Sequence, residues 1–140
     1  MLRLLTPLRL FAAVLLALVL GGCAEPPYSN IDNTRLQELL AKNVPIYDVR
    51  RPEEWRQTGV VAGSRLLTFV DAGGRMSPDF LPRFSAEVGK NDPVILICRT
   101  GSRTDTLARL LIEKLGYTQV YNVRGGITGW IGEKLPVVRN

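Results

Sequence analysis

Short apolar runs alternate with stretches of helical period along this chain. The runs are about five residues long and mostly apolar, as is typical of strands that are buried on both faces of a sheet. Such strands are predicted at residues 45–49, 64–67, 93–97 and 119–123, of which the second is the weakest. Strands that alternate with helices in this way predict an α/β fold, with a parallel sheet covered by helices on both faces.

The predicted helices have recognisable first and last residues. Asp32 begins the first one, in which Leu36, Leu39 and Leu40 form one apolar face. Proline at the first turn favours a short helix after the strand at 45–49. The predicted helices after the first cover residues 52–57, 77–88 and 104–115. The glycine-rich segment at 125–130 then lies near the end of the predicted domain.

The first 22 residues differ from the rest. Arg3 and Arg9 precede an uninterrupted apolar run at 10–20, which is short for a membrane span and has the length of a signal-peptide core. Small residues then precede Cys23, and this stretch resembles the lipobox of bacterial lipoproteins. We therefore expect a signal peptide at 1–22, a tether at 23–30, a domain at 31–135 and a tail at 136–140.

The lipobox resemblance implies that Cys23 becomes the acylated first residue of the mature protein. Because Ala24 rather than aspartate follows it, the resemblance implies a lipid anchor in the outer membrane of the bacterial envelope, facing the periplasm. Two alternatives remain open: ordinary secretion with a free Cys23, or an uncleaved anchor.

Charge and residue counts exclude several functional classes. The net charge is +5, and it falls to +3 without residues 1–22, because Arg3 and Arg9 are lost from 18 basic residues against 13 acidic ones. That excess is too small to indicate nucleic-acid binding. The chain has no histidine, which excludes histidine as a general base and disfavours a metal site. With Cys23 acylated, Cys98 is the single free thiol, so no internal disulfide can form.

The most informative chemistry lies at a predicted turn between strand and helix. The turn comprises Cys98, Arg99, Thr100, Gly101, Ser102 and Arg103. A helix start and nearby guanidinium groups both favour the thiolate, which is the reactive form of cysteine. The alternative is a buried and inert thiol. The two arginines argue against a purely apolar environment, so the sequence favours a reactive Cys98.

Three segments in order resemble the rhodanese homology domain, over roughly residues 31–135. The first spans residues 47–59 and contains Asp48, Arg50 and a Glu-Glu-Trp run. The second is the cysteine turn at 98–103. The third is the Val-Arg-Gly-Gly run at 123–126 with the tryptophan at 130. Any one of them is weak evidence, whereas the ordered set is specific.

The resemblance implies a rhodanese-like sheet and a sulfurtransferase that stores sulfane sulfur on Cys98 as a persulfide. The donor is a small molecule such as thiosulfate and the acceptor is a thiol or cyanide, with no cofactor and no metal. The resemblance also implies that the loop amides surround the sulfur. Substrate-binding residues are then Arg99, Thr100, Gly101, Ser102 and Arg103, with Arg99 the best candidate for attracting an anionic donor. Asp48 and Arg50 are expected to brace the loop as an ion pair.

The match departs from the family pattern at one place. Rhodaneses often carry Gly-His-Ile-Pro-Gly-Ala after the tryptophan helix, whereas residues 59–64 here lack the histidine and the proline. Since that histidine is not the nucleophile, we expect activity to persist.

Two other functions depend on the same loop or on a related one. Related phosphatases and arsenate reductases need an arginine six places after the cysteine, where this chain has Thr104. A persulfide carrier or sulfur sensor tethered to a membrane needs the same loop as an enzyme, and the sequence does not separate the two. Nor does the sequence identify a protein partner.

Overall fold

A parallel sheet organises the chain. The computed structural model describes residue 22 and residues 24–139. Within them, five strands lie in the order β1-β5-β4-β2-β3, and every pairing is parallel. The strands are β1 (Ser29–Ile31), β2 (Ile46–Asp48), β3 (Arg65–Leu66), β4 (Val94–Ile97) and β5 (Val120–Val123). The predicted fold class, an α/β parallel sheet, is confirmed.

Helices cover both faces of this sheet. They are α1 (Asn33–Ala41), α2 (Pro52–Thr58), α3 (Phe80–Glu87), α4 (Ser102–Arg109) and α5 (Gly126–Gly132). A π-helical turn, Leu110–Lys114, continues α4. The apolar side chains of α1 and α5 pack on one face of the sheet, and those of α3 and α4 pack on the other. Among the described residues, no helix is long and apolar enough to cross a membrane.

The central strand β4 holds the residue that follows it, Cys98, in a fixed position. All four of its residues are buried, because it lies between β5 and β2 and has helices on both faces. Alternate side chains of β4 enter the two cores, Val94 and Leu96 on one side and Ile95 and Ile97 on the other. The residue that follows β4 is therefore fixed by the sheet.

Two of the predicted helix starts are confirmed. The Asp32 carboxylate accepts the backbone N–H of Arg35 at 2.8 Å, which caps α1. Pro52 is the first residue of α2, as its fixed φ favours. In contrast, α3 begins at Phe80 and not at Ser77. Residues 78–79 form a turn, across which the N–H of Phe80 donates to the Ser77 carbonyl at 3.1 Å.

The two ends of the domain differ from the expected boundaries. The expected tether includes Ser29 and Asn30, but in the structure they belong to β1, which pairs with β5 as the outermost strand of the sheet. Val138, assigned to the tail, pairs antiparallel with Val60. These pairings are too short to produce a recognisable pattern of apolar residues in the sequence, so the sequence did not predict them. The predicted signal peptide, apart from residue 22, and the predicted lipidation site Cys23 lie outside the described residues.

Candidate active site at the Cys98 loop

Cys98 lies immediately after β4, at the carboxyl edge of the sheet. Open α/β sheets bind their ligands at the carboxyl ends of the strands. The side chain is fully buried, with 0% of its surface exposed. Its carbonyl accepts the backbone N–H of Ile127 at 2.9 Å, so the residue is held from β4 on one side and from α5 on the other. The thiol is thus fixed by rigid elements.

The loop that follows directs polar groups at the sulfur. The backbone N–H of Gly101 donates to the Cys98 sulfur over 3.2 Å, and the Thr104 hydroxyl lies 3.3 Å from the same atom. Gly101 has a φ of +94°, which glycine adopts without strain. A Cβ at this position would also overlap the carbonyl oxygen of Arg124. Glycine is therefore required for the N–H to reach the sulfur.

The start of α5 closes the other side of the loop. The N–H of Thr128 donates to the Arg99 carbonyl at 3.1 Å. Gly126 has a φ of +58°, and a Cβ on it would overlap the backbone of Arg99. Gly126 thus permits a close approach between two backbones. The third sequence motif supports the cysteine loop directly.

Arg103 forms a two-pronged ion pair with Glu54 of α2. Its two terminal nitrogens lie 2.8 and 2.7 Å from the two carboxylate oxygens. Hydrogen bonding to Arg103 lowers the pKa of Glu54 from 4.5 to about 2, although burial acts in the opposite direction. A lowered pKa stabilises the fold above pH 4.5, and this contribution is lost as the pH falls towards 2. The pair therefore persists at neutral pH.

The remaining loop side chains face solvent. Arg99, Thr100 and Ser102 are exposed. The side chain of Arg99 forms no ion pair within the part of the chain that the structure describes. Of the two loop arginines, Arg103 is neutralised by an acid, and Arg99 keeps its charge available at the surface. Donor binding by these residues stays a prediction.

Asp48 and Arg50 form the expected ion pair. Both side chains are buried, 0% and 1% exposed, and the guanidinium approaches the carboxylate to 2.8 Å. Arg50 also donates to the Thr58 hydroxyl and the Gly59 carbonyl at the end of α2, and the Trp55 indole donates to Asp48 at 3.0 Å. The pair thus anchors α2. It reaches the cysteine loop indirectly, since α2 carries the acid that binds the loop.

Three residues of the site were not identified from the sequence: Glu54, Thr104 and Asn122. Glu54 had a visible signal, as an acid in the first turn of a predicted helix, but this signal indicates a cap and not a partner 49 positions away. In the sequence, Thr104 stands out only as a departure from the phosphatase pattern. Asn122 had no signal, because a polar residue within an apolar strand can have many roles.

Comparison with known proteins identifies the family of this chain. The family model described as "Rhodanese-like domain" matches residues 32–133. Thiosulfate sulfurtransferase 16 of Arabidopsis thaliana is 31% identical, over 77% of this chain and 91% of its own. A sulfurtransferase of Allochromatium vinosum is 30% identical, over 79% of this chain and 94% of its own. The crystal structure of Rv0390 from M. tuberculosis superposes with a TM-score of 0.66 at 26% identity, covering 81% of this chain and 99% of that one.

The matched segment contains all three sequence motifs and the whole site around Cys98. With this coverage and these relatives, the chain belongs to the family of rhodanese-like sulfurtransferase domains.

Proposed function

We propose that this protein is a sulfurtransferase that moves sulfane sulfur from an anionic donor such as thiosulfate to a thiol or cyanide. The observation that carries the proposal is the Cys98 sulfur itself, which is fixed after β4 and receives the Gly101 N–H at 3.2 Å. A fixed sulfur facing a backbone donor next to the start of α4 favours an anion. Both the thiolate and the persulfide are anions.

In the first half-reaction, the Cys98 thiolate attacks the outer sulfur of thiosulfate. A new S–S bond forms to Cys98, and the bond between the two sulfurs of thiosulfate breaks. Sulfite leaves with the electron pair of that bond, and the protein keeps a persulfide anion.

In the second half-reaction, the acceptor attacks the terminal sulfur of the persulfide. With cyanide, a C–S bond forms, the S–S bond breaks, and thiocyanate leaves while Cys98 returns to the thiolate. The electrons balance within each step, so neither half-reaction needs an external oxidant or reductant. Relatives named as thiosulfate sulfurtransferases support this choice of donor.

We also propose that the native protein is lipid-anchored through Cys23. The support is the basic start, the apolar run and the small residues before this cysteine. The chain enters the sheet at Ser29, the first residue of β1, whereas Cys98 follows the last residue of β4. Because all strands are parallel, the tether joins the sheet at the amino ends of the strands, and the thiol lies at their carboxyl ends. An anchored domain would hold its active site away from the membrane surface.

One intact-mass experiment on the native protein tests both proposals. We expect residues 1–22 to be absent, acyl mass to be present, and thiosulfate to add the mass of one sulfur that cyanide removes as thiocyanate. Repeated turnover with both substrates distinguishes an enzyme from a carrier that is loaded only once. An intact first residue without lipid would contradict the anchor. A missing sulfur adduct would contradict the transfer chemistry.

Arg99→Ala is expected to reduce kcat/KM with thiosulfate about tenfold more than with a neutral persulfide donor. The reason is that a hydrogen bond to a charged group contributes more to binding than a neutral one does, and only thiosulfate brings two negative charges to Arg99. Steady-state kinetics with both donors measure the difference. Arg83→Ala, which removes an exposed arginine from α3, serves as the matched control. Equal losses with both donors would show that Arg99 has a structural role.

A further inference from the structure

A row of hydrogen-bonded polar side chains runs beneath the active site, from the exposed Asn30 to the buried Asn122 and Thr104. The proposed chemistry makes no use of its far end. Asn122 of β5 is buried, and its side chain connects Asn30 of β1 with Thr104 of α4. Thr104 in turn touches the Cys98 sulfur. The edge strand is thus linked to the nucleophile by side-chain hydrogen bonds.

The orientation of the Asn122 amide follows from its neighbours. The Nδ2 atom lies 3.3 Å from the carbonyl oxygen of Gly101 and 3.0 Å from Oδ1 of Asn30. A backbone carbonyl only accepts hydrogen bonds, so the amide nitrogen must face it. The amide oxygen Oδ1 therefore faces Thr104, whose hydroxyl oxygen is 2.5 Å away.

The Thr104 hydroxyl has one proton and three acceptors within reach. These are Oδ1 of Asn122 at 2.5 Å, the carbonyl of Gly101 at 3.2 Å and the sulfur of Cys98 at 3.3 Å. The shortest contact is with the amide oxygen, so the proton lies on the Asn122 side. In that arrangement the hydroxyl can only accept a hydrogen bond from the thiol, which favours the protonated sulfur.

The thiolate and the persulfide need the opposite arrangement. A sulfur anion accepts hydrogen bonds, and the hydroxyl can donate to it only by turning its proton away from Asn122. The amide oxygen then loses its donor inside the protein, where an unpaired polar atom is unfavourable. Formation of the anion at Cys98 therefore competes with the hydrogen bond at Asn122.

We propose that Asn122 is a positioning residue that competes with the Cys98 sulfur for the Thr104 proton and so limits the fraction of reactive thiolate. The proposal rests on the proposed function for the role of Cys98. It assigns to the buried strand β5 a control over the nucleophile that is exerted through a single hydroxyl.

Asn122→Leu tests this, because leucine has nearly the same shape and no acceptor. We expect iodoacetamide to alkylate Cys98 about tenfold faster at neutral pH, since the freed hydroxyl donates to the thiolate. Mass spectrometry of the peptide that carries Cys98 follows the reaction in the full chain. An unchanged or slower reaction would overturn the proposal.

A double-mutant cycle separates this mechanism from a general loosening of the loop. In a Thr104→Val background there is no hydroxyl to release, so adding Asn122→Leu should leave the alkylation rate unchanged. A rate increase that persists in that background would overturn the proposal. If Asn122→Leu does not fold, Asn122→Ala provides the same comparison. Asn30→Ala is the control, because it removes a neighbour of Nδ2 and leaves Oδ1 and Thr104 in contact.

Alkylation reports on the thiolate without thiosulfate or any acceptor. Its outcome therefore tests the role of Asn122 independently of sulfur transfer. A protein that lacks transfer activity but shows the expected cycle would contradict the proposed function alone.

Discussion

Sulfur transfer from thiosulfate to cyanide is expected to fall to background in Cys98→Ser, with the fold unchanged. Serine is nearly isosteric with cysteine, so the buried position after β4 keeps its packing. A hydroxyl cannot hold sulfane sulfur, and the described residues contain no second thiol that could replace it. Because the covalent intermediate is lost completely, the effect is larger than any loss of binding. Thiocyanate formation measures the activity, and circular dichroism checks the fold.

Cys23→Ser is the matched control for this experiment. It makes the same chemical change at the other cysteine of the sequence, and transfer is expected to continue at the parental rate. Transfer at the parental rate in Cys98→Ser would show that the proposed mechanism is wrong. In that case another residue of the chain would have to be the nucleophile.

Arg50→Met is expected to lower the free energy of unfolding by about 3–5 kcal/mol. Removing the guanidinium leaves the Asp48 carboxylate, which is 0% exposed, without its cation. It also removes the hydrogen bonds to Thr58 and Gly59 that hold the end of α2. Urea unfolding followed by circular dichroism measures the change.

Two further variants show where this loss of stability comes from. Arg56→Met removes an exposed arginine of the same helix, and we expect it to change stability by less than about 0.5 kcal/mol. Adding Asp48→Asn to Arg50→Met removes the uncompensated charge, so the double variant should be more stable than Arg50→Met alone. A loss below about 1 kcal/mol in Arg50→Met would contradict the assignment of this pair as the anchor of α2.

Strands β2 to β5 and the cysteine loop were predictable because their signals are local, whereas the short edge strand β1 was not predicted. A strand buried on both faces must be apolar along a short run, as β4 is. The cysteine loop was predicted from the residue types that lie between a strand and a helix. Helix α5 was missed, since the segment at 125–130 is glycine-rich and glycine disfavours helices. Its contacts with the cysteine loop outweigh that propensity.

By itself, the sequence determined the α/β class, the order of the motifs and the identity of the candidate nucleophile. These depend on patterns within a few neighbouring residues. Only the tertiary structure decided which loop arginine is paired with an acid and which distant side chains connect Asn30 through Asn122 to Thr104. The partners concerned are 49 positions apart for Glu54 and Arg103, and 92 positions apart for Asn30 and Asn122. No local pattern encodes such contacts, because they exist only after the parallel strands have brought distant side chains to one edge of the sheet.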